Sequence, residues 1–453
     1  MNKLLLKGVA AAFCMATMFG TTACGDDDDL VNVEPPVEET QDVILEGEIT
    51  SDMTLKAADN NLLRGFVYVT DGVTLTIEPG TVIKGEKSSK GSLIVERGGK
   101  LIAEGTAEKP IVFTSDQPKA SRTYGDWGGL ILCGKSIVNN TAGEAQIEGG
   151  PRSYYGGKDP EDNSGIVKYV RIEFAGYPLE PNKEINGLTC GGVGRGTTIE
   201  YVQVSFCGDD SFEWFGGTVN AKHLIAYKGW DDEFDTDYGF QGRLQFLLGV
   251  RDPKHADTSK SNGFESDNDA DGSNNTPLTT PVFSNVTLIG PFYGESAGKT
   301  ENDIFYVTED AANGAKGGSF QAAMHIRRNS SLNVYNSIFV GWPYGLYLQN
   351  ANVGAVVKNV IFVGMWENFK DETSQNYFQT ADLSNLTYAS SNDIIAKDGD
   401  YTSIVADKID GADFSDTALN DAFFEKVSYK GAFDGKNDWA ANWTNFDPNN
   451  TEY

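Results

Sequence analysis

Apolar and polar residues alternate with a period of two over KYVRIEFAG (168–176) and EYVQVSFCG (200–208). The two segments superpose at an offset of 32, Val170 on Val202, Ile172 on Val204 and Phe174 on Phe206. This alternation predicts β-strands with one face buried. Farther along, NVTLIG (285–290), NSIFVG (336–341) and NVIFVG (359–364) repeat one hexapeptide at offsets of 51 and 23. A unit of 21–25 residues, widened in places by insertions, accommodates all of these segments.

After its strand-ending glycine each unit turns into another short strand, as in GDDSF (208–212), GWDDEF (229–234) and GWPYGL (341–346). With NGL (186–188) and NGF (262–264), these segments define an apolar column of Leu188, Phe212, Phe234, Phe264 and Leu346. A unit of about 22 residues holds two or three strands and no helix, and it must bury its apolar side against the next unit. Leucine-rich repeats share this unit length, but their LxxLxL signature is missing, and a propeller blade needs about 40 residues. The pattern therefore predicts an all-β chain, a right-handed parallel β-helix over 42–364.

Both ends of such a solenoid need covering, because exposed strand edges pair with other chains. An N-terminal cap is expected to begin within 42–60. An irregular C-terminal cap is expected over 365–453, where DTALNDAFFEKV (416–427) has helical spacing. Trp439, Trp443 and Phe446 are expected to pack there rather than to form a sugar platform.

Composition adds an address and excludes a partner. Acidic residues number 65 against 36 basic ones, with no Lys/Arg-rich block, so nucleic acid is not an expected partner. Glycine, at 51 residues, is spread along the chain, which fits many tight turns. Residues 1–23 read as a lipoprotein signal peptide: Lys3 and Lys7 flank a short apolar run that ends in TTAC at 21–24. Cys24 would then be the acylated first residue, carrying a palmitoyl-type anchor into an outer membrane. The alternative is an ordinary secretory signal with an incidental cysteine. Residues 24–41, beginning CGDDDD, read as the lipidated cysteine and an acidic tether. Of the other cysteines, Cys133, Cys190 and Cys207 lack CxxC spacing and are expected as buried core thiols, although one bridge among them is an open alternative.

Several blocks carry a family resemblance. These are LTIEPGTVIKG (75–85), LIVERGGKLIAEGTAEKPIVFTS (93–115), WGGLILCGK (127–135), the paired DDSFEWFGG (209–217) and DDEFDTDYGFQG (231–242), and GAFDGKNDWAANWTNFDP (431–448). They resemble Bacteroidota surface lipoproteins built on a right-handed parallel β-helix. The resemblance covers residues 60–453 and implies that fold and a cell-surface location. It implies no reaction.

The paired acidic blocks hold the candidate chemistry. With Phe212, Phe234 and Phe264 inward, alternation sends Glu213, Asp235 and Glu265 outward, with Asp237 and Asp267 two residues on. Successive rungs lie about 4.8 Å apart, so the carboxylates repel by about 0.9 kcal/mol per pair even in bulk water. Three offsets are open: bound Ca²⁺, raised carboxylate pKa values, or interleaved cations such as Arg243, Lys228 and Arg327. Oxygen-only ligands favour a hard cation, so the five carboxylates form a candidate calcium site. Arg243, Arg327 and Trp230 are candidate ligand contacts. Asp209, Asp210, Asp231 and Asp232 are expected to serve turn structure. The expected function is a surface-anchored binding face for glycan or another extracellular ligand. The competing expectation is a polysaccharide lyase or glycosidase, for which GDD (208–210) and one of Arg243, Arg251, Arg327 and Arg328 could be recruited. No spacing singles out an acid and base.

Overall fold

A computed structural model describes residues 40–180, 183–292, 300, 318–350, 354–380, 387–389 and 410–453. The signal segment, Cys24 and nearly all of the acidic tether lie outside the described residues. Thr40–Tyr453 form one unit.

The chain coils as a parallel β-helix with three sheets. The first sheet stacks Ser92–Val95, Leu130–Cys133, Leu188–Gly191, Phe212–Phe215, Phe234–Asp237, Phe264–Ser266, Ala322–Arg327 and Tyr344–Gln349, all in parallel register. The apolar column read from the sequence lies in one register: Leu188, Phe212, Phe234, Phe264, then Met324, then Leu346. Met324 was hidden because a long insertion separates its rung from the NGF segment. The offset of 32 is also the observed pairing, Val170 with Val202 and Ile172 with Val204. The hexapeptides stack as Leu288, Phe339 and Phe362.

The second and third sheets share long strands that bend in the middle. Gly165–Glu173, Thr198–Ser205, Ala221–Tyr227, Arg243–Val250 and Val282–Ile289 turn at Tyr169, Tyr201, His223, Phe246 and Asn285. Each of these five has a left-handed φ, between 50° and 62°, a conformation that costs an L-residue about 1–2 kcal/mol. Stacking offsets the cost. Ring centroids are 4.4 Å apart for Tyr169–Tyr201, 4.2 Å for Tyr201–His223 and 5.2 Å for His223–Phe246. On the following rungs Asn285, Asn336 and Asn359 take the same corner, and asparagine tolerates this region best after glycine.

Residues 410–453 do not close an end of the solenoid as expected. They run back along this corner from its last rungs to its first. Asn359 donates to Gly411 O (2.8 Å), Asn285 to Tyr429 O (2.8 Å) and Gln203 to Asn445 O (2.9 Å), and Lys84 Nζ donates to Tyr453 O (3.0 Å). Trp443, fully buried, meets the Tyr169 and Tyr201 rings edge-on. The expected helix at 416–427 is only a 3-10 turn, Thr417–Leu419, capped by Asp416. Leu419 and Phe424 bury instead against Tyr335, with Val282 and Val356 beside them. The α-helix Glu372–Thr380 stands by the last rungs, where Ser374 Oγ accepts from Leu348 N (3.0 Å). At the other end Asp42–Ile49 already pairs in parallel with Asn60–Val69, so 42–60 is the first coil and not a separate cap.

Cys133, Cys190 and Cys207 are unpaired and buried. Among the described residues, no helix is long and apolar enough to cross a membrane.

Candidate functional site

The outward column of the first sheet runs Tyr68, Ile94, Ile131, Thr189, Glu213, Asp235, Glu265, His325, Tyr347. Its chemistry changes along its length. The apolar start is sealed by the insertion after Leu130–Cys133, which packs Val138, Ile147 and Tyr155 onto Ile94, Ile131 and Phe215. Gly216, in the GG of the first acidic block, permits this cover. Its φ is +66°, and a Cβ there would lie 2.6 Å from Val138 and 2.8 Å from Tyr238 O.

Beyond Thr189 the column becomes acidic, and its carboxylates are less exposed than alternation alone predicts. Glu213 is 6% exposed and Asp267 4%; Asp235, Asp237 and Glu265 are intermediate, yet Asp235 Oδ1 is shut off from water and has no hydrogen-bond partner. The turn aspartates do both jobs. Asp210 accepts from Asp232 N (2.8 Å), and Asp232 accepts from Asn262 N, so each links successive coils. They also bring oxygens to the column. Three interlocked groups result: Asp209, Asp210 and Asp231; Asp210, Glu213 and Asp235; and Asp232, Asp235 and Glu265. Within each, one ligand oxygen per residue lies within 4.8 Å of the others.

This redraws the expected five-carboxylate site. Glu213, Asp235 and Glu265 come together, joined by Asp210 and Asp232, which sequence reading had left to turn structure. Asp237 and Asp267 belong to no group. Asp237 Oδ1 accepts from Tyr238 N, and Asp267 is held by Arg327 (2.8 Å) and Arg328 (2.8 Å). Of the cations expected between rungs, Arg327 alone reaches the column. Arg243 pairs with Asp421 of the returning C-terminal segment (3.1 Å), because its strand belongs to the second sheet. Lys228 lies over the Tyr227 ring, 5.1 Å away. Trp230, 2% exposed and edge-on to Tyr124 at 5.2 Å, cannot meet a ligand as a surface contact. Arg251 is buried against Glu233 (2.9 Å) and braces the backbone at Gly229 and Asn262.

Electrostatics follow from this packing. Burial first, and then repulsion from neighbouring carboxylates, Glu148 foremost for Glu213, pushes Asp210, Glu213, Asp232 and Asp235 well above the usual carboxylate range. The same two causes bring Asp231 to about 8, the repulsion there coming first from Asp257. Burial and Asp267 likewise raise Asp237 to about 8. Glu265 differs. Burial pushes it up, but the hydrogen bond from His325 and the charge of Arg327 outweigh that and hold it below the ordinary value.

Sequence reading missed His325 and Asn186. His325 Nδ1 meets Glu265 (3.2 Å), and its ring stacks on Tyr347 at 4.7 Å. Aligning MHIR with FESD in the repeat register would have found it. Asn186, 1% exposed, directs its amide at Glu213 through Nδ2, while Oδ1 has no partner. It occupies in its coil the place that Asp210 has in the next. An all-oxygen, multi-carboxylate set with a buried amide oxygen nearby fits a hard divalent cation such as Ca²⁺.

Two cavities lie elsewhere. One of about 540 Å³ opens at the first coils beside Ile44, Leu62, Val82 and Tyr453, and one of about 350 Å³ lies between Lys358 and Asp416. Neither is lined by a residue of the acidic column.

No curated protein and no solved structure matches the chain. Residues 47–444 match the pectate-lyase like beta helix domain, and the chain belongs to that family.

Proposed function

We propose that this protein is an outer-membrane, cell-surface lipoprotein anchored through Cys24, whose β-helix binds acidic glycan with the help of calcium. One observation carries the reading. Asp210, Glu213, Asp232 and Asp235 are gathered in interlocked groups, and among the described residues no Lys, Arg or His forms an ion pair with any of them. A bound divalent cation offsets that repulsion and presents unfilled coordination positions to an anionic ligand. The family's description names pectate lyase, whose polymer is a chain of carboxylated sugars. Arg327 and Arg328 lie beside the carboxylates and suit the same ligand class.

The same family match, with Arg327 and Arg328 next to a calcium-type site, favours a second reading, a polysaccharide lyase. Affinity chromatography separates the cases. The protein should be retained on immobilised polygalacturonate in calcium, released by chelator and not retained on neutral dextran. Retention that ignores chelator, or no retention, refutes the binding reading. Steady formation of unsaturated, ultraviolet-absorbing products would establish the lyase. The anchor is tested separately: Cys24→Ser should abolish fatty-acid labelling, and equal labelling of both proteins would remove Cys24 from its role.

A further inference from the structure

Glu265 stands where the anionic and cationic parts of the outward column meet. Both of its oxygens are already engaged: Oε1 pairs with Arg327 Nη2, and Oε2 takes His325 Nδ1 (3.2 Å) and the more distant Asn262 Nδ2 (3.4 Å). It is also the third member of the group with Asp232 and Asp235. A cation taken up by that group therefore competes with Arg327 and His325 for one carboxylate.

We propose that Glu265 is an exchange carboxylate: when a divalent cation binds beside Asp232 and Asp235, Glu265 turns to it and releases Arg327 to meet an anionic ligand. This rests on the calcium-dependent reading above and adds a coupling between its two ligands. Two unsatisfied buried oxygens point to a ligand there, one on Asp235 itself and one on Asn186 beside Glu213, in the adjoining group that shares Asp235. Asn186 is almost fully buried and has its amide at Glu213.

The geometry supports release and not collapse. Arg327 keeps a second bond through Nε to Asp267 (2.8 Å), so its guanidinium stays on the column when Glu265 leaves. Its side chain is 24% exposed, which leaves the freed Nη2 a route to ligand. Arg328 also pairs with Asp267 (2.8 Å) and is 39% exposed, but it has no bond to Glu265. It carries the same charge in the same neighbourhood and is the natural control. By linkage, a cation that frees Arg327 strengthens anion binding, and the anion strengthens cation binding by the same factor.

Calorimetric titration of the full-length protein with CaCl₂ at fixed ionic strength tests the exchange. If Arg327 competes with the cation for Glu265, Arg327→Gln should tighten calcium binding by about tenfold. Arg328→Gln, which removes equal charge without freeing Glu265, should leave it nearly unchanged. In a Glu265→Gln background, where calcium binds more weakly, Arg327→Gln should have no further effect, because the contested carboxylate is gone. Should Arg327→Gln fail to fold, Arg327→Met keeps an unbranched stem without the guanidinium and must shift affinity in the same direction. Three results overturn the exchange: unchanged or weaker calcium binding in the Arg327 variants, equal tightening by Arg328→Gln, or the same tightening in the Glu265→Gln background. In each of them wild-type calcium binding survives, and the functional reading stands without the exchange. No calcium binding by any variant or the wild type overturns both.

Discussion

Phe234 stacks between Phe212 and Phe264 at ring separations of 5.5 and 5.7 Å and is wholly buried, so each coil reads its register from an aromatic ring on the coil before. Removing that ring leaves a cavity bounded by two stacked neighbours that cannot both collapse into it. Phe234→Ala should cost about 3–5 kcal/mol in denaturant unfolding. Wild-type resistance would refute the stacking role. His223 offers a residue-scale test with a different variable. Burial, then the nearby charges of Lys222 and Lys168, opposed by Glu425, takes its pKa from 6.5 to about 4. The fold therefore favours the neutral ring. The stability this contributes is present above pH 6.5 and is lost as pH falls through 4. His223→Phe, which keeps a ring between Tyr201 and Phe246, should flatten the fall in unfolding midpoint between pH 6.5 and 4. An unchanged acid profile would show that the buried imidazole is not its source.

At the scale of elements, local alternation revealed the strands and their vertical register because both depend on neighbours one coil away. NVTLIG, NSIFVG and NVIFVG align by eye and stack in the fold. The path of residues 410–453 has no such signal. Trp439 and Trp443 announce burial, but their partners Tyr169, Tyr201 and His223 lie more than two hundred residues earlier in the chain. Nor does alternation show that a tyrosine or histidine will adopt a left-handed φ at a corner. The asparagines bind this segment most directly. Asn336, fully buried at φ 50°, donates to Asp413 O (3.1 Å) and accepts from Asp413 N (2.8 Å). Asn336→Ala loses both bonds and the tolerance for that φ, with an expected cost of about 2–4 kcal/mol. Asn336→Gly restores only the φ tolerance and should recover part of it. Hydrogen exchange should show faster opening along 410–431 in both variants. Exchange confined to the mutated strand would mean that the segment is held elsewhere.

At the scale of the molecule, the acidic column shows why part of the site was legible and part was not. Glu213, Asp235 and Glu265 follow from strand alternation once the phenylalanines are placed inward. Asp210 and Asp232 needed the fold, because the turn that each closes also carries its second oxygen onto the column. Arg243 shows the converse: it is close in sequence to the acidic blocks, but its strand lies on another sheet. The lopsided charge of the whole chain, 65 acidic against 36 basic residues, thus has a local concentration whose repulsion protons or a bound cation would offset. Calcium calorimetry on the purified protein at constant ionic strength, with magnesium as the control, addresses this directly. Binding should be saturable and selective for calcium, and at 100 times Kd it should add about 2.7 kcal/mol to the unfolding free energy. Both the heat and the added stability should vanish in Glu213→Gln/Asp235→Asn. A flat calcium titration of the wild type, with an unfolding temperature that chelator does not change, would mean that these carboxylates share protons and close turns, and that no metal site exists on the column.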